Sequence, residues 1–278
     1  MVRMKWAVIA LGMAVLAGCS PRDESDLKRL ALPIAGSDRS DAMWNVWLGA
    51  WIAAGVIAAI VLFLILYPAV AHRRRHPDEV PPQVRYNLPI EALYTIAPVI
   101  IVAVFFYHTI TAQNEMIKDV ENPDHTVTVV GSKWQWSFNY QDEQAVSEDV
   151  FDLGTPEDPA ELWLPVDESV RFELLSPDVI HSFWVPEFYF KMDVVPGREN
   201  SFDLTPTREG TFTGRCAELC GVYHTRMIFK VNVVSRAEYD AHLQELEQAG
   251  AVGAPEGQKY ASELAGSSDD DAQDGAGN

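Results

Sequence analysis

The hydrophobic pattern along this chain changes character twice. No Asp, Glu, Lys or Arg lies between Asp41 and Arg73, and a second uncharged stretch runs from Ala92 to Asn114. A helix needs about 20 apolar residues to cross a bilayer core, and both stretches supply them. We read 44–71 and 91–114 as transmembrane helices. Trp44, Trp47 and Trp51 gather toward one end of the first, and Phe105, Phe106 and Tyr107 toward the far end of the second, as interfacial aromatics do. From His125 the period shortens. Residues 126–130 are β-branched, and similar runs occur at 169–175, 200–204, 211–215 and 227–234. Turn signals separate them at Pro177-Asp178, Pro196-Gly197 and Glu209-Gly210, and 154–159 reads as an acidic loop. A stretch of about 110 residues suits a β-sandwich or barrel. Ser235-Arg236-Ala237-Glu238 has the form of a capping box, with Val234 and Tyr239 placed as a hydrophobic staple. It predicts a C-terminal helix over 236–250, with Gly250 as its stop. Residues 251–278, rich in Gly, Ala and Ser and carrying Asp269-Asp270-Asp271, read as an acidic disordered tail.

Charge orients these elements. His72-Arg73-Arg74-Arg75-His76 follows the first span directly, and the positive-inside rule puts the loop 72–90 in the cytoplasm. Both termini and everything from about Glu115 are then extracytoplasmic. Residues 1–18 read as a secretory signal, with Arg3 and Lys5 ahead of an apolar run from Trp6 to Leu16. Leu16-Ala17-Gly18-Cys19 is similar to a bacterial lipobox, which implies acylation of Cys19; an ordinary signal peptide is the other reading. Residues 19–43 would then form an extracytoplasmic lead-in. The chain carries 40 acidic and 21 basic side chains, a net charge of −19. Residues 112–278 alone hold 32 acidic and 11 basic ones. Such a body repels nucleic acid and attracts basic partners. Three cysteines make no disulfide framework.

The chemistry concentrates in Cys216-Ala217-Glu218-Leu219-Cys220-Gly221-Val222-Tyr223-His224-Thr225-Arg226-Met227, with His181 upstream. Thiolate, thioether and imidazole together suit copper. Zinc knuckles favour closer cysteine pairs, and the C-x-x-C-H of c-type haem is absent. A mononuclear blue-copper site uses a single thiolate, so the second thiolate allows two bridged copper ions.

At this point the segment resembles the CuA motif of cytochrome c oxidase subunit II, as do the 134–140 aromatic run and the double span, over residues 40 to 235. The lipobox and the stretch from Asp178 to Phe188 look most like actinobacterial members. The resemblance implies a membrane α-helical hairpin joined to an all-β, cupredoxin-like Greek-key domain over 115–235. It implies a dinuclear copper centre held by His181, Cys216, the Glu218 carbonyl, Cys220, His224 and Met227. It implies magnesium bound by the Glu218 carboxylate at the interface with subunit I. Trp134 matches the tryptophan that receives the electron from a c-type cytochrome, and Glu91 matches a glutamate at a proton-path entrance. The whole would be an oxidoreductase in which haem-copper subunit I, accompanied by subunit III, reduces O2 to water and pumps protons in a bacterial plasma membrane. One departure stands out. Asn139 replaces a glutamate of the family's docking patch, which leaves Asp142, Glu143 and nearby acids as docking candidates. A membrane-anchored or tethered donor would fit. A Sco-type copper chaperone would need a thioredoxin-like α/β pattern, a quinol-oxidase subunit II lacks the copper ligands, and a structural disulfide would leave His181, His224 and Met227 without a role.

Overall fold

The computed structural model of the chain describes residues 28–76, 79–80, 83–255 and 257–274. The expected leader 1–18 and the expected lipidation at Cys19 lie outside the described residues.

Two long helices run Ser40–Ala71 (α1) and Leu88–Met116 (α2), with 32 and 29 residues. Both are apolar on every side, the pattern of a helix whose whole surface meets hydrocarbon. At 1.5 Å per residue each exceeds the roughly 30 Å of a bilayer core, so their ends extend past it. The helices begin earlier than the uncharged stretches suggest. Asn87 caps α2 by accepting from the Ile90 N–H, and the Glu91 carboxylate accepts the Asn87 N–H at 3.0 Å. Pro89, with no N–H to satisfy, fits the first turn.

Ten strands follow: His125–Ser132 (β1), Gln135–Gln141 (β2), Val150–Leu153 (β3), Glu161–Pro165 (β4), Val170–Leu175 (β5), His181–Val185 (β6), Phe190–Val194 (β7), Asn200–Leu204 (β8), Gly210–Cys216 (β9) and Ile228–Val234 (β10). They form two five-stranded sheets, β3-β2-β1-β5-β8 and β4-β10-β9-β6-β7. The pairings β1–β5 and β10–β4 are parallel, so crossovers between the sheets, not hairpins alone, build the sandwich. Between the sheets lie Trp136, Phe138, Phe172, Phe183, Phe202 and Phe229, all essentially buried. The Phe183 and Phe229 rings stack at 5.0 Å.

Helix α3, Arg236–Gln248, starts at the expected capping box, and Tyr239 and Leu243 bury against the sandwich. The expected disordered tail is corrected over much of its length. A further helix, α4, spans Gln258–Asp274, and its Ala261 and Ala265 are buried with Val130 and Leu175. Two alanines one turn apart offer little hydrophobic signal, yet their small size lets the helix lie flat on the sheet.

Candidate metal centre

Three loops meet at one end of the sandwich. β9 ends at Cys216, the ligand loop runs to Met227 just before β10, and His181 opens β6. Pairing of Phe183 with Cys216 aligns β6 and β9. A backbone bond from Cys216 N–H to the Met227 carbonyl, 2.9 Å, closes the loop at its base. His181, Cys216, Cys220 and Met227 are buried.

The sequence-predicted ligands converge. The Cys216 and Cys220 sulfurs lie 3.8 Å apart. His181 Nδ1 is 3.8 Å from Cys216 Sγ, and His224 Nδ1 is 3.5 Å from Cys220 Sγ. Met227 Sδ lies 3.7 Å from Cys220 Sγ, and the Glu218 carbonyl oxygen 3.2 Å from Cys216 Sγ. Glu218 itself is exposed. Each sulfur therefore has one imidazole nitrogen near it, with a thioether on one side and a carbonyl on the other. Burial, and the Cys216 sulfur beside it, push the Cys220 thiol up to about 12. An incoming cation has to displace that proton.

Asp178, a residue that spacing alone does not single out, orients His181. Its Oδ1 lies 2.9 Å from His181 Nε2. Burial opposes its charge, but hydrogen bonds from the Lys133 N–H, His181 and the Val179 N–H hold it below the usual carboxylate range. With Nε2–H donated to Asp178, the Nδ1 lone pair is left facing Cys216. The only advance signal is that an acid stands three residues before the histidine.

Trp134 is half-buried, and its Nε1–H donates to the Cys220 carbonyl at 3.2 Å. Tyr223 meets it edge-on at 5.0 Å. Gly221, at φ +124°, lets the loop pass so close to this indole that a Cβ would sit 3.1 Å from the ring. Leu219 and Val222 are exposed beside it. Glu91 lies far from this cluster in sequence and fold, in the first turn of α2.

Two docking expectations change. Asp142 is exposed, but Glu143 is buried and accepts from Tyr239 Oη at 2.8 Å and pairs with His125 Nδ1 at 2.7 Å. Its carboxylate is an internal anchor, not a surface charge. Asn139 is buried too, donating from Nδ2 to the Gly253 carbonyl at 2.6 Å. An ionised carboxylate at that position would lie buried against the C-terminal segment without this donor.

Residues 125–234 match the family model for the cytochrome c oxidase subunit II periplasmic domain. A Streptomyces avermitilis chain named "Probable cytochrome c oxidase subunit 2" is 43% identical, over 87% of this chain and 86% of that one. The "Cytochrome c oxidase subunit 2" of Mycobacterium tuberculosis is 32% identical, over 79% of each. Among solved structures, the periplasmic domain of subunit II of the Bradyrhizobium japonicum cytochrome oxidase is similar at 29% identity. It covers 47% of this chain and 99% of that one, with a TM-score of 0.42. The matched domain is cupredoxin-like, and the two helices ahead of it are long and apolar enough to cross a membrane. Identity sustained across hairpin and sandwich alike means that the chain belongs to the cytochrome c oxidase subunit 2 family, one part of an oxidoreductase complex.

Proposed function

We propose that this chain is the electron-accepting subunit of its oxidase, taking electrons from a c-type cytochrome and passing them to haem-copper subunit I. One observation carries this reading: two thiols 3.8 Å apart, each with one imidazole nitrogen alongside. That donor set fits two copper ions held by His181, Cys216, the Glu218 carbonyl, Cys220, His224 and Met227. Bound there, the copper pair supplies a one-electron store whose geometry changes little on reduction. The protein's part is to hold the ligands in place, exclude water and present Trp134. The indole reaches from the half-exposed surface to the Cys220 carbonyl, a short covalent and hydrogen-bonded route to the sulfurs. The exposed Glu218 carboxylate is free to meet magnesium at the subunit I interface.

The remaining assignments belong to the same reading. The β-domain faces outward, both termini lie outside the bacterial plasma membrane, and Arg73, Arg74 and Arg75 hold the hairpin loop in the cytoplasm. Glu91, at that inner end of α2, stands at a proton-path entrance. Cys19 carries lipid at the start of the mature chain. Subunit III and a membrane-tethered donor complete the assembly. Electron paramagnetic resonance of the oxidised, copper-loaded chain tests the central claim. A seven-line copper hyperfine pattern is expected, from one unpaired electron shared by two ions. A four-line pattern means a mononuclear site and overturns the reading.

A further inference from the structure

Both ends of the helical hairpin are stitched to the β-sandwich, and one buried guanidinium sits where they meet. Arg39 immediately precedes α1 and is 7% exposed. A cation is misplaced at a helix N-terminus, where free N–H groups favour anions. This side chain turns away from its own helix. Nε donates to the Asp203 carbonyl on β8 at 3.2 Å, Nη1 to the Glu115 carbonyl at 2.8 Å, and Nη2 to the Lys118 carbonyl at 3.0 Å. Glu115 lies in the last turn of α2, where carbonyls lack helical partners and where α2 offers no basic residue of its own. Arg39 supplies that cap from the neighbouring helix. The carboxylates of Asp38 and Glu115, at 3.5 and 3.9 Å, offset its charge.

Asp203 completes the junction. Its buried carboxylate accepts from the Val120 N–H at 2.6 Å and from Arg171 Nε and Nη2 at 2.9 and 2.7 Å. Arg171 Nη2 also donates to the Val120 carbonyl at 3.0 Å. Val120 lies in the connection from α2 to β1, so both of its backbone polar groups are held. The segment before α1 is fastened as well. Gly36 N–H donates to the Glu187 carbonyl at 2.8 Å, Asp38 N–H to the Thr205 carbonyl at 3.0 Å, and Thr207 N–H to the Gly36 carbonyl at 2.9 Å. The Asp38 carboxylate accepts the Thr205 N–H at 2.8 Å.

Domains joined by linkers move relative to one another by default. Here both connections are tied down, and one planar fork joins the start of α1, the end of α2 and edge strand β8. We propose that Arg39 is a positioning residue that sets the height and tilt of the ligand-bearing sandwich over the membrane helices. Through that placement it governs the distance from the sulfur cluster to subunit I. This functional consequence rests on the electron-transfer reading above, whereas the structural half concerns the chain alone. Lysine cannot replace the fork, because an ammonium is a point charge without the guanidinium's planar spread of donors.

The test has two arms. In the first, the full-length chain without copper, in lipid nanodiscs, is compared with Arg39→Ala and Arg39→Lys by amide hydrogen exchange. In Arg39→Ala, protection of 115–124 falls by about tenfold or more, with that of β2, β9 and β10 unchanged; Arg39→Lys recovers little of it. Unchanged protection of 115–124, an equal loss throughout the sandwich, or full rescue by lysine would each overturn the proposal. In the second arm, on the assembled oxidase, Arg39→Ala leaves the copper spectrum and the reduction of copper by the donor at wild-type values but slows the onward transfer severalfold. An unchanged onward rate overturns the functional half. A wild-type chain that takes up no copper removes the electron-transfer reading instead, and the exchange result stands without it.

Discussion

At the scale of single residues, the proposed copper site depends on groups that orient its candidate ligands as much as on those ligands. Two thiols within bridging reach predict that Cys216→Ser and Cys220→Ser each abolish the mixed-valence visible bands. Bands that survive in either variant would contradict bridging. Asp178 makes a different prediction. Asp178→Ala leaves every ligand in place but strips His181 Nε2 of its acceptor. Copper affinity should fall about 10–100-fold, the usual effect of losing such a partner, while the bands of the loaded protein persist. Competition against a copper chelator measures the first and absorption the second. Trp134→Ala should slow electron transfer into copper sharply, with donor affinity and its salt dependence intact, in stopped-flow reduction over an ionic-strength series. The cluster of proposed ligands was legible in the sequence because all but His181 fall within twelve consecutive positions. Asp178 and Tyr223 were not, because their roles arise from a ring or a carboxylate meeting another loop in space.

At the scale of elements, α3 is held by a polar knot whose centre, His125, Glu143 and Tyr239, is buried. His125, at the start of β1, pairs through Nδ1 with Glu143 at 2.7 Å and through Nε2 with Glu168 at 2.9 Å. Arg236 bonds Glu168 at 2.7 Å, and Tyr239 donates to Glu143 at 2.8 Å. Burial disfavours the charged imidazole, but the hydrogen bonds to Glu143 and Glu168 and the charge of Glu143 outweigh it and raise the His125 pKa. A raised folded value means that the knot contributes fully below the unfolded value of about 6.5 and that its contribution fades as pH rises through the folded value. Tyr239, pushed well above the ordinary phenol range by burial and then by Glu143, stays neutral throughout. Asp124, nearby, is held below its usual range by its bonds to Ser169, so it titrates only in acid. Thermal denaturation of the outer domain should therefore show a midpoint that falls from pH 6 to pH 9, and His125→Gln should flatten this slope. An unaltered slope in the variant would assign the effect elsewhere. The capping box made α3 visible in the sequence, but nothing local revealed that Glu143, 96 positions before Tyr239, belongs to its anchor.

At the scale of the whole molecule, the proposed electron entry from a basic donor predicts that the rate of encounter with the acidic β-domain falls as salt screens it. The burial of Glu143 divides the acidic pair. Neutralising exposed Asp142 should change the salt slope only slightly, since an exposed charge contributes roughly 0–1 kcal/mol. Glu143→Gln should leave the slope alone and lower stability by about 1–3 kcal/mol, the cost of disturbing a buried hydrogen-bonded group. Denaturant titration beside the kinetic series separates the two.

Read by itself, the sequence determined the two apolar helices of bilayer length, the β-rich domain, the helix after Ser235 and the loop that gathers the thiols. Each is written in short-range pattern: unbroken apolar runs of bilayer length, β-branched runs between turns, a capping box, donors close together on one loop. Tertiary structure alone decided which acids are surface and which are internal, why Asn139 lies covered, and that two alanines of α4 bury against Val130 and Leu175. It also decided that Arg39, a charge ahead of one span, caps the end of the other helix. These outcomes depend on groups far apart in the chain meeting away from water. There an unpaired charge or N–H costs most, and only the complete fold says which partner satisfies it.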